Sequence, residues 1–418
     1  MKSDAKLVKF LSWNTINFAT LTVVSLLSLP VYYGKLSPEN FAILSIVWSA
    51  LAISTVMDLG VGRALTRELG AITNESASGN YKSVASSGIV VAGVYSALAA
   101  LIVQFGISKY FDLLDDQYII EQQTIAMVAL AIFATLASNA FLAIFEGMHR
   151  IQLATLIRIS FTFFYMAGPA AMLALSVTDE LSDVVLLIAL ARLAQLAACI
   201  LIASRLVVIS FAASSYRHVK DLLANGMWLT LSNIVSIAMT SSDRFILGYY
   251  RSPTDLGNYV IASELIQRGV GVLSIISGSI FPLIARAGPL DGHGQRLRVA
   301  HLLISVVGIS VFFLGFFLIN QFLVIWLGRD DVLQIAHLFQ IMLVGWLASG
   351  FGQLYLANIH SMGDTRTPAL VHVAEAMFAI PAMIYAIYDH GVYGGAAVWT
   401  VRAVVDALIL KFVSGRRR

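Results

Sequence analysis

Twelve stretches of about 20 predominantly apolar residues run along the chain, each long enough to cross hydrocarbon as an α-helix. They centre near Leu21, Ile53, Ala97, Ala134, Tyr165, Ala194, Ile237, Val272, Phe312, Leu347, Met377 and Val401. A backbone in lipid must satisfy its own hydrogen bonds, so such a chain folds as a helix bundle. The composition agrees: 58% of the 418 residues are hydrophobic and 12% charged, far from the soluble range.

Basic residues set the expected orientation, because cytoplasmic loops hold the excess of Lys and Arg. One set of ends carries Lys2, Lys6, Lys9, then Arg63, Arg67, Lys82, and further on Arg205, Arg217, Lys220 and Lys411, Arg416, Arg417, Arg418. The opposite loops hold only Lys35, Lys109, Arg251 and Arg329. Both termini are therefore expected in the cytoplasm, and the net charge of +3 reads as a topology signal, not as nucleic-acid binding. No small-x-small cleavage motif follows the N-terminal lysines before Pro30, so the first span is expected to be retained. Cys199 has no partner cysteine, which excludes an internal disulfide and leaves a packing role.

The segment 226–259 sets an Asp243-Arg244 pair inside an apolar, membrane-length stretch, and a charge at that depth needs a reason. At about 100° per residue, Thr230, Asn233, Ile237, Thr240 and Arg244 share one helix face of roughly 80°. Asn14, Asn17, Ser25 and Ser28 do the same in the first span, and two polar stripes suggest one shared cavity. The likeness continues in the turns, where Tyr32-Tyr33-Gly34-Lys35-Leu36-Ser37-Pro38 is echoed by Tyr249-Tyr250-Arg251-Ser252-Pro253. Ser as N-cap and Pro at the first helical position give the shared letters a mechanical basis. The expected fold is an all-α polytopic membrane protein of twelve transmembrane helices in two pseudo-repeated six-helix bundles. The expected division is 1–209, a cytoplasmic linker 210–225 holding Tyr216, Arg217, His218, Lys220 and Asp221, and 226–418.

Charges elsewhere carry two readings each. Asp58 and Arg63 flank a helix leaving the membrane or form an inner gate. Glu146 and Arg150 have the spacing and order of a helical ion pair, as Glu264 and Arg268 do. Arg192 has no carboxylate nearby in sequence, and either meets an acid on another helix or lines a wet cavity. His372 and Glu375 lie in the eleventh span, Arg402 and Asp406 in the twelfth, in the weaker order for a local pair. No i,i+4 histidine pair sits beside an acid and no calcium-loop pattern occurs among Asp112, Asp115, Asp116 and Glu121, so no metal is expected.

Five arginines, Arg158, Arg192, Arg244, Arg268 and Arg402, lie inside the expected spans and no lysine does. A planar, permanently charged guanidinium suits bidentate contact with phosphate, so the cargo is expected to be anionic and phosphorylated. No loop is long enough for a catalytic domain and no Gly-x-x-x-x-Gly-Lys phosphate loop occurs, so neither an enzyme nor a nucleotide-driven pump is expected.

The stretch 14–30, Ser37-Pro38-Glu39-Asn40-Phe41, Met57-Asp58-Leu59-Gly60-Val61-Gly62-Arg63-Ala64, Ser242-Asp243-Arg244-Phe245-Ile246-Leu247-Gly248 and Gly363-Asp364-Thr365-Arg366 resemble the O-antigen and polysaccharide flippases. These form the Wzx-type branch of the multidrug, oligosaccharidyl-lipid and polysaccharide (MOP) exporter superfamily. The resemblance implies two bundles opening alternately to either side of a bacterial inner membrane. It also implies a cargo of undecaprenyl-pyrophosphate-linked sugar repeats, for O-antigen, capsule or exopolysaccharide, and drive by a proton or sodium gradient with no bound cofactor. A polysaccharide polymerase and glycosyltransferases are the implied partners. Twelve spans instead of the fourteen typical of lipid II flippases argue against the peptidoglycan branch. On this reading Arg192, Arg244, Arg158, Arg268 and Arg402 contact pyrophosphate, Asn14, Asn17 and Asn233 contact sugar, and Asp58, Arg63, Asp243 and Glu264 serve coupling or gating. The alternative on the same fold is a multidrug or cation antiporter of the MATE type, which five intramembrane arginines disfavour.

Overall fold

The structure is a computed structural model that describes residues 2–54, 60–72, 78–114, 118–206, 235, 239, 241–285, 293–362, 364 and 366–415. Among these residues the secondary structure is helical, with no strand. The helices are α1 (Lys2–Lys35), α2 (Pro38–Ser54), α3 (Val61–Ala71), α4 (Ser78–Leu113), α5 (Gln122–Gly147), α6 (Ile151–Ala174) and α7 (Leu181–Leu206). Residues 241–250 form α8. The chain closes with α9 (Pro253–Ala285), α10 (His293–Leu327), α11 (Leu333–Ser361) and α12 (Arg366–Gly415).

Eight of the described helices are long and apolar enough to cross a membrane. Two breaks reconcile helices with spans. Pro38–Ser54, a shorter apolar helix of 17 residues, carries the described part of the second apolar stretch, and Gly60, at φ 67°, precedes α3. Gly391, at φ 64° and ψ −144°, divides the 50-residue α12 into two arms, which carry the eleventh and twelfth stretches. Both glycines hold backbone conformations that a side chain disfavours. The protein is the all-helical polytopic membrane protein expected of its apolar runs.

The chain forms two compact units, residues 1–237 and 238–418. The expected linker, 210–225, lies outside the described residues. Within the first unit α5 is central and packs on α2, α3, α4, α6 and α7. Within the second, α11 is central and packs on α9, α10 and α12. α5 carries the fourth of the first six apolar stretches and α11 the fourth of the second six, so the same position in each half holds the core helix. Lipid tails give apolar helices no hydrophobic reason to associate, and close van der Waals contact does that work instead. Small residues make the contact possible. A Cβ on Gly147 of α5 would lie 2.8 Å from the Leu69 Cβ, and one on Gly345 of α11 would lie 2.9 Å from the Thr400 Cα.

The repeated turns match in structure. Ser37 Oγ accepts the Asn40 N–H at 3.1 Å to start α2, and Ser252 Oγ accepts the Asp255 N–H at 3.2 Å to start α9. An acid in the first turn of each helix then holds its unit's core helix or the approach to it. Glu39 Oε1 accepts the Ile119 N–H ahead of α5 at 3.0 Å, and Asp255 Oδ1 accepts from Gln334 Nε2 in α11 at 2.9 Å. Cys199 is fully buried against Phe141, Leu142 and Phe145, in the expected packing role.

Candidate functional site

In the second unit, α8 and α9 bring charged residues together inside the apolar region. Arg244 Nη2 donates to Glu264 Oε1 at 2.6 Å, and Arg268 Nη2 donates to Glu264 Oε2 at 2.8 Å. Helical spacing gives the second pair from sequence. The first depends on α8 lying against α9. Asp243, 2% exposed, accepts from the Tyr259 hydroxyl at 2.8 Å and from the Arg244 N–H at 2.8 Å. Removing one member of such a buried set strands the other and costs about 3–5 kcal/mol.

The break at Gly391 folds the two arms of α12 past each other and adds a second cluster. One ligand atom each from His372 and Glu375 of the first arm and Asp406 of the second lie within 4.8 Å of one another. His372 Nε2 is 3.6 Å from Asp406 Oδ1. Neither carboxylate oxygen of Glu375 has a hydrogen-bond partner among the described residues, although the side chain is buried. Glu375 and Arg402 also line a largely apolar cavity of about 670 Å³ between the arms, with Val371, Phe378, Val398 and Val401. Arg402 links the clusters, being within electrostatic reach of Asp243, Tyr259 and Glu375. Two neighbouring carboxylates with a histidine form a donor set suited to a proton or a small cation. The set contains no i,i+4 histidine pair, the pattern on which the sequence expectation of no metal rested. The i,i+3 spacing of His372 and Glu375 was the available sign, whereas Asp406 enters only through the fold of α12.

In the first unit a polar pocket of about 460 Å³ lies among α3, α5 and α6, lined by Arg63, Thr66, Arg67, Asn139, Glu146 and Arg158. Glu146 Oε1 accepts from Arg158 Nη1 at 2.5 Å, which corrects the expected pairing with Arg150. The reason is local: α5 ends at Gly147, and Arg150 lies exposed beyond the turn, where helical spacing no longer applies. Arg192 is elsewhere in this unit. Its guanidinium carbon sits 3.8 Å from the centre of the Tyr165 ring, and its Nη1 donates to Gln195 Oε1 at 3.0 Å. Among the described residues no carboxylate pairs with it, and ring and amide take that place.

Of the candidates named from sequence, Asp243, Arg244, Glu264, Arg268 and Arg402 gather in the second unit, and Arg63 and Arg158 share the pocket of the first. Asn17 is partly buried on α1. Asp58, Asn233 and the side chain of Asn14 lie outside the described residues, as do Thr230, Ile237 and Thr240 of the proposed stripe.

Two solved structures share this fold over nearly the whole chain. An inward-facing multidrug resistance MATE family transporter of the MOP superfamily superposes with a TM-score of 0.76 at 14% identity, covering 95% of this chain and 94% of the other. The lipid II flippase MurJ, in an inward closed conformation, gives 0.76 at 13% identity, covering 97% of this chain and 87% of the other. The class is therefore a polytopic membrane protein with the fold of MOP superfamily transporters. A Shigella flexneri protein whose name assigns it to O-antigen transport is 24% identical over 413 residues, 98% of each chain. Residues 11–287 match the family described as polysaccharide biosynthesis protein, and the chain belongs to that family. The proteins it resembles are named as transporters and flippases, not as enzymes.

Proposed function

We propose that the chain is a flippase that moves an undecaprenyl-pyrophosphate-linked oligosaccharide from the cytoplasmic to the periplasmic leaflet of a bacterial inner membrane, by alternating access. The observation that carries this reading is the convergence of Arg244 and Arg268 on the two oxygens of Glu264. Two guanidiniums aimed at one anionic group form the arrangement that a phosphate needs, with the carboxylate standing in until cargo arrives. Arg402 in the same unit, and Arg158 and Arg192 in the first unit, are further candidates for phosphate contact, as Asn14, Asn17 and Asn233 are for sugar hydroxyls. A charged, hydroxyl-rich head cannot cross hydrocarbon unaided, and polar side chains replace its hydration.

Coupling follows from the charge balance of the second unit. Three guanidiniums, of Arg244, Arg268 and Arg402, face four carboxylates, of Asp243, Glu264, Glu375 and Asp406. A proton or sodium ion at His372, Glu375 and Asp406 supplies the missing charge, and the gradient of that ion drives the cycle. Asp58 and Arg63 gate the inner side, both termini face the cytoplasm, and polymerase and glycosyltransferases are the partners. Fold alone does not separate this reading from a MATE-like multidrug or cation antiporter, since both comparisons give a TM-score of 0.76. Family membership and the convergent arginines favour the oligosaccharide.

The test is transfer of a fluorescent undecaprenyl-pyrophosphate oligosaccharide across liposomes, with and without an imposed gradient. Arg244→Gln with Arg268→Gln is expected to abolish transfer. Wild-type rates in that correctly inserted variant overturn the arginine assignment. No transfer by the wild type, together with export of a cationic dye, moves the protein to the antiporter class.

A further inference from the structure

His372, Glu375 and Asp406 share a feature beyond their proximity, since four of their buried polar atoms make no hydrogen bond. Glu375 is 8% exposed, and neither of its carboxylate oxygens has a partner among the described residues. The same holds for His372 Nδ1 and Asp406 Oδ1. A buried carboxylate is costly unless a partner offsets the loss of water. Arg402 lies within electrostatic reach of Glu375 yet donates no hydrogen bond to it. His372 and Glu375, three residues apart, share one face of the first arm of α12, and Asp406 comes from the second arm, beyond the break at Gly391.

The donor types say which partner fits. A proton bridges two atoms and leaves the third idle. A hard cation takes oxygen ligands and gains little from an imidazole, which suits zinc and its transition-metal neighbours. Bonds of about 2.0–2.2 Å to imidazole nitrogen and carboxylate oxygen place the ligand atoms about 3.4 Å apart around a tetrahedral ion. His372 Nε2 and Asp406 Oδ1 stand 3.6 Å apart, and one donor atom from each of the three side chains lies within 4.8 Å of the others. Asp406 Oδ2 is directed to α11, where a Cβ on Gly352 would lie 3.5 Å from it, so Oδ1 is the oxygen that faces the histidine. The His372 and Asp406 side chains are 13% and 22% exposed, which leaves an ion a way in.

We propose that His372, Glu375 and Asp406 bind a divalent transition-metal ion of the zinc class, which clips the two arms of α12 together. One nitrogen and two oxygens, with a fourth position for water, make a three-ligand site of the kind zinc occupies. The site stands on this donor set and concerns an ion other than the proton or sodium of the transport reading. Its consequence rests on that reading: a tightly held divalent ion keeps the coupling ion out and stops gradient-driven transfer.

The experiment uses the full chain without a polyhistidine tag, in lipid nanodiscs, and measures Zn²⁺ binding by titration calorimetry in the presence of Mg²⁺ and Na⁺. One site per chain is expected. His372→Gln, Glu375→Gln and Asp406→Asn are each expected to weaken it by about a hundredfold. Zn²⁺ is expected to raise the Tm of the wild type and not that of these variants. Asp406→Cys replaces the carboxylate by a thiolate and controls for misfolding. It is expected to bind Zn²⁺ more tightly than the wild type, and to give Co²⁺ a thiolate-to-metal absorption band that is lost when His372→Gln is added. Binding that survives all three ligand substitutions belongs to other histidines and overturns the site. Displacement of Zn²⁺ by equal Mg²⁺ or Na⁺, or no Zn²⁺ binding at all, also overturns it and leaves the cluster to a hard cation or a shared proton. In liposomes, Zn²⁺ above its measured Kd is expected to remove the gradient-dependent part of transfer. If Zn²⁺ binds as described and that transfer persists, the clip stands and its control of transfer fails. If the wild type moves no lipid, the flippase reading fails, and calorimetry alone decides the metal site.

Discussion

Tyr259 of α9 donates its hydroxyl hydrogen to Asp243 of α8 across 2.8 Å, and the tyrosine is fully buried. The bond joins the two helices beside the carboxylate that precedes Arg244. Tyr259→Phe keeps the ring and removes the donor, leaving a buried carboxylate oxygen short of a partner. Hydrogen bonds to charged groups contribute about 1.5–3 kcal/mol, so the variant is expected to unfold at lower temperature in detergent. Adding Asp243→Asn is expected to recover part of the loss. If Tyr259→Phe unfolds at the wild-type temperature, the hydrogen bond has no structural weight.

Gly345 is expected to tolerate no larger residue, because a Cβ there lies 2.9 Å from the Thr400 Cα, which is backbone and cannot turn aside. Gly345→Val should lower Tm or abolish folded yield, in line with overpacking costs of about 1–3 kcal/mol. Gly168 of α6 is the contrast, since a Cβ there would meet nothing within 4 Å. Gly168→Ala is expected to be neutral or to stabilise by up to about 1 kcal/mol through helix propensity. The pair of thermal unfolding curves checks the packing account directly.

The α8–α9 turn is held on the break in α12. Arg251 Nη2 donates to the Ile387 carbonyl at 2.7 Å and to the Tyr388 carbonyl at 2.9 Å, and Gly391 stands against the same guanidinium. Gly391→Ala forces a side chain into φ 64° with ψ −144°, a conformation essentially restricted to glycine, at a cost of about 1–3 kcal/mol, with a Cβ 3.3 Å from Arg251 Nε. Arg251→Lys loses the planar fork that spans two carbonyls. Both variants are expected to raise protease sensitivity at the break in α12, read by limited proteolysis. Unchanged cleavage rates would count against this anchor.

Glu375→Gln keeps the shape of the His372, Glu375 and Asp406 cluster and removes one charge. Transfer in liposomes is expected to lose its gradient-dependent part and to keep the passive part. A variant that responds to the gradient as strongly as the wild type places coupling elsewhere.

Outside the membrane, the loop between α10 and α11 offers a pH reading. Hydrogen bonds from Arg329, at 2.8 and 2.6 Å, hold the Asp331 carboxyl below its ordinary range. A depressed folded-state pKa stabilises the loop above the unfolded pKa, and the effect fades as pH falls through the folded value. The pair is exposed, so the contribution to stability is small. Arg329→Gln is expected to move the Asp331 titration upward, measured by carboxyl carbon NMR.

Much of the fold was legible from particular letters. Ser37-Pro38 and Ser252-Pro253 start helices through the same cap, and the Glu264-Arg268 bridge follows from four-residue spacing inside a continuous helix. The same spacing misled at Glu146, because the helix stops one residue later and the carboxylate turns to Arg158 on α6. For Arg192 the sequence offered an acid on another helix or a wet cavity; its guanidinium instead meets the Gln195 amide one turn on and the Tyr165 ring, which nothing in its neighbourhood named.

The sequence by itself determined the helical class, the apolar stretches and the set of charges placed at membrane depth. Hydrophobic length, caps and i,i+4 spacing act over a few covalently linked residues, so they can be read from order alone. Only the tertiary structure decided that Glu264 serves two arginines, that Arg158 answers to Glu146, and that the arms of α12 bring Asp406 to His372 and Glu375. Those pairings depend on which helix faces meet and how closely. That is set by side-chain packing across contacts such as Gly147 and Gly345, between residues whose distance along the chain carries no trace of it.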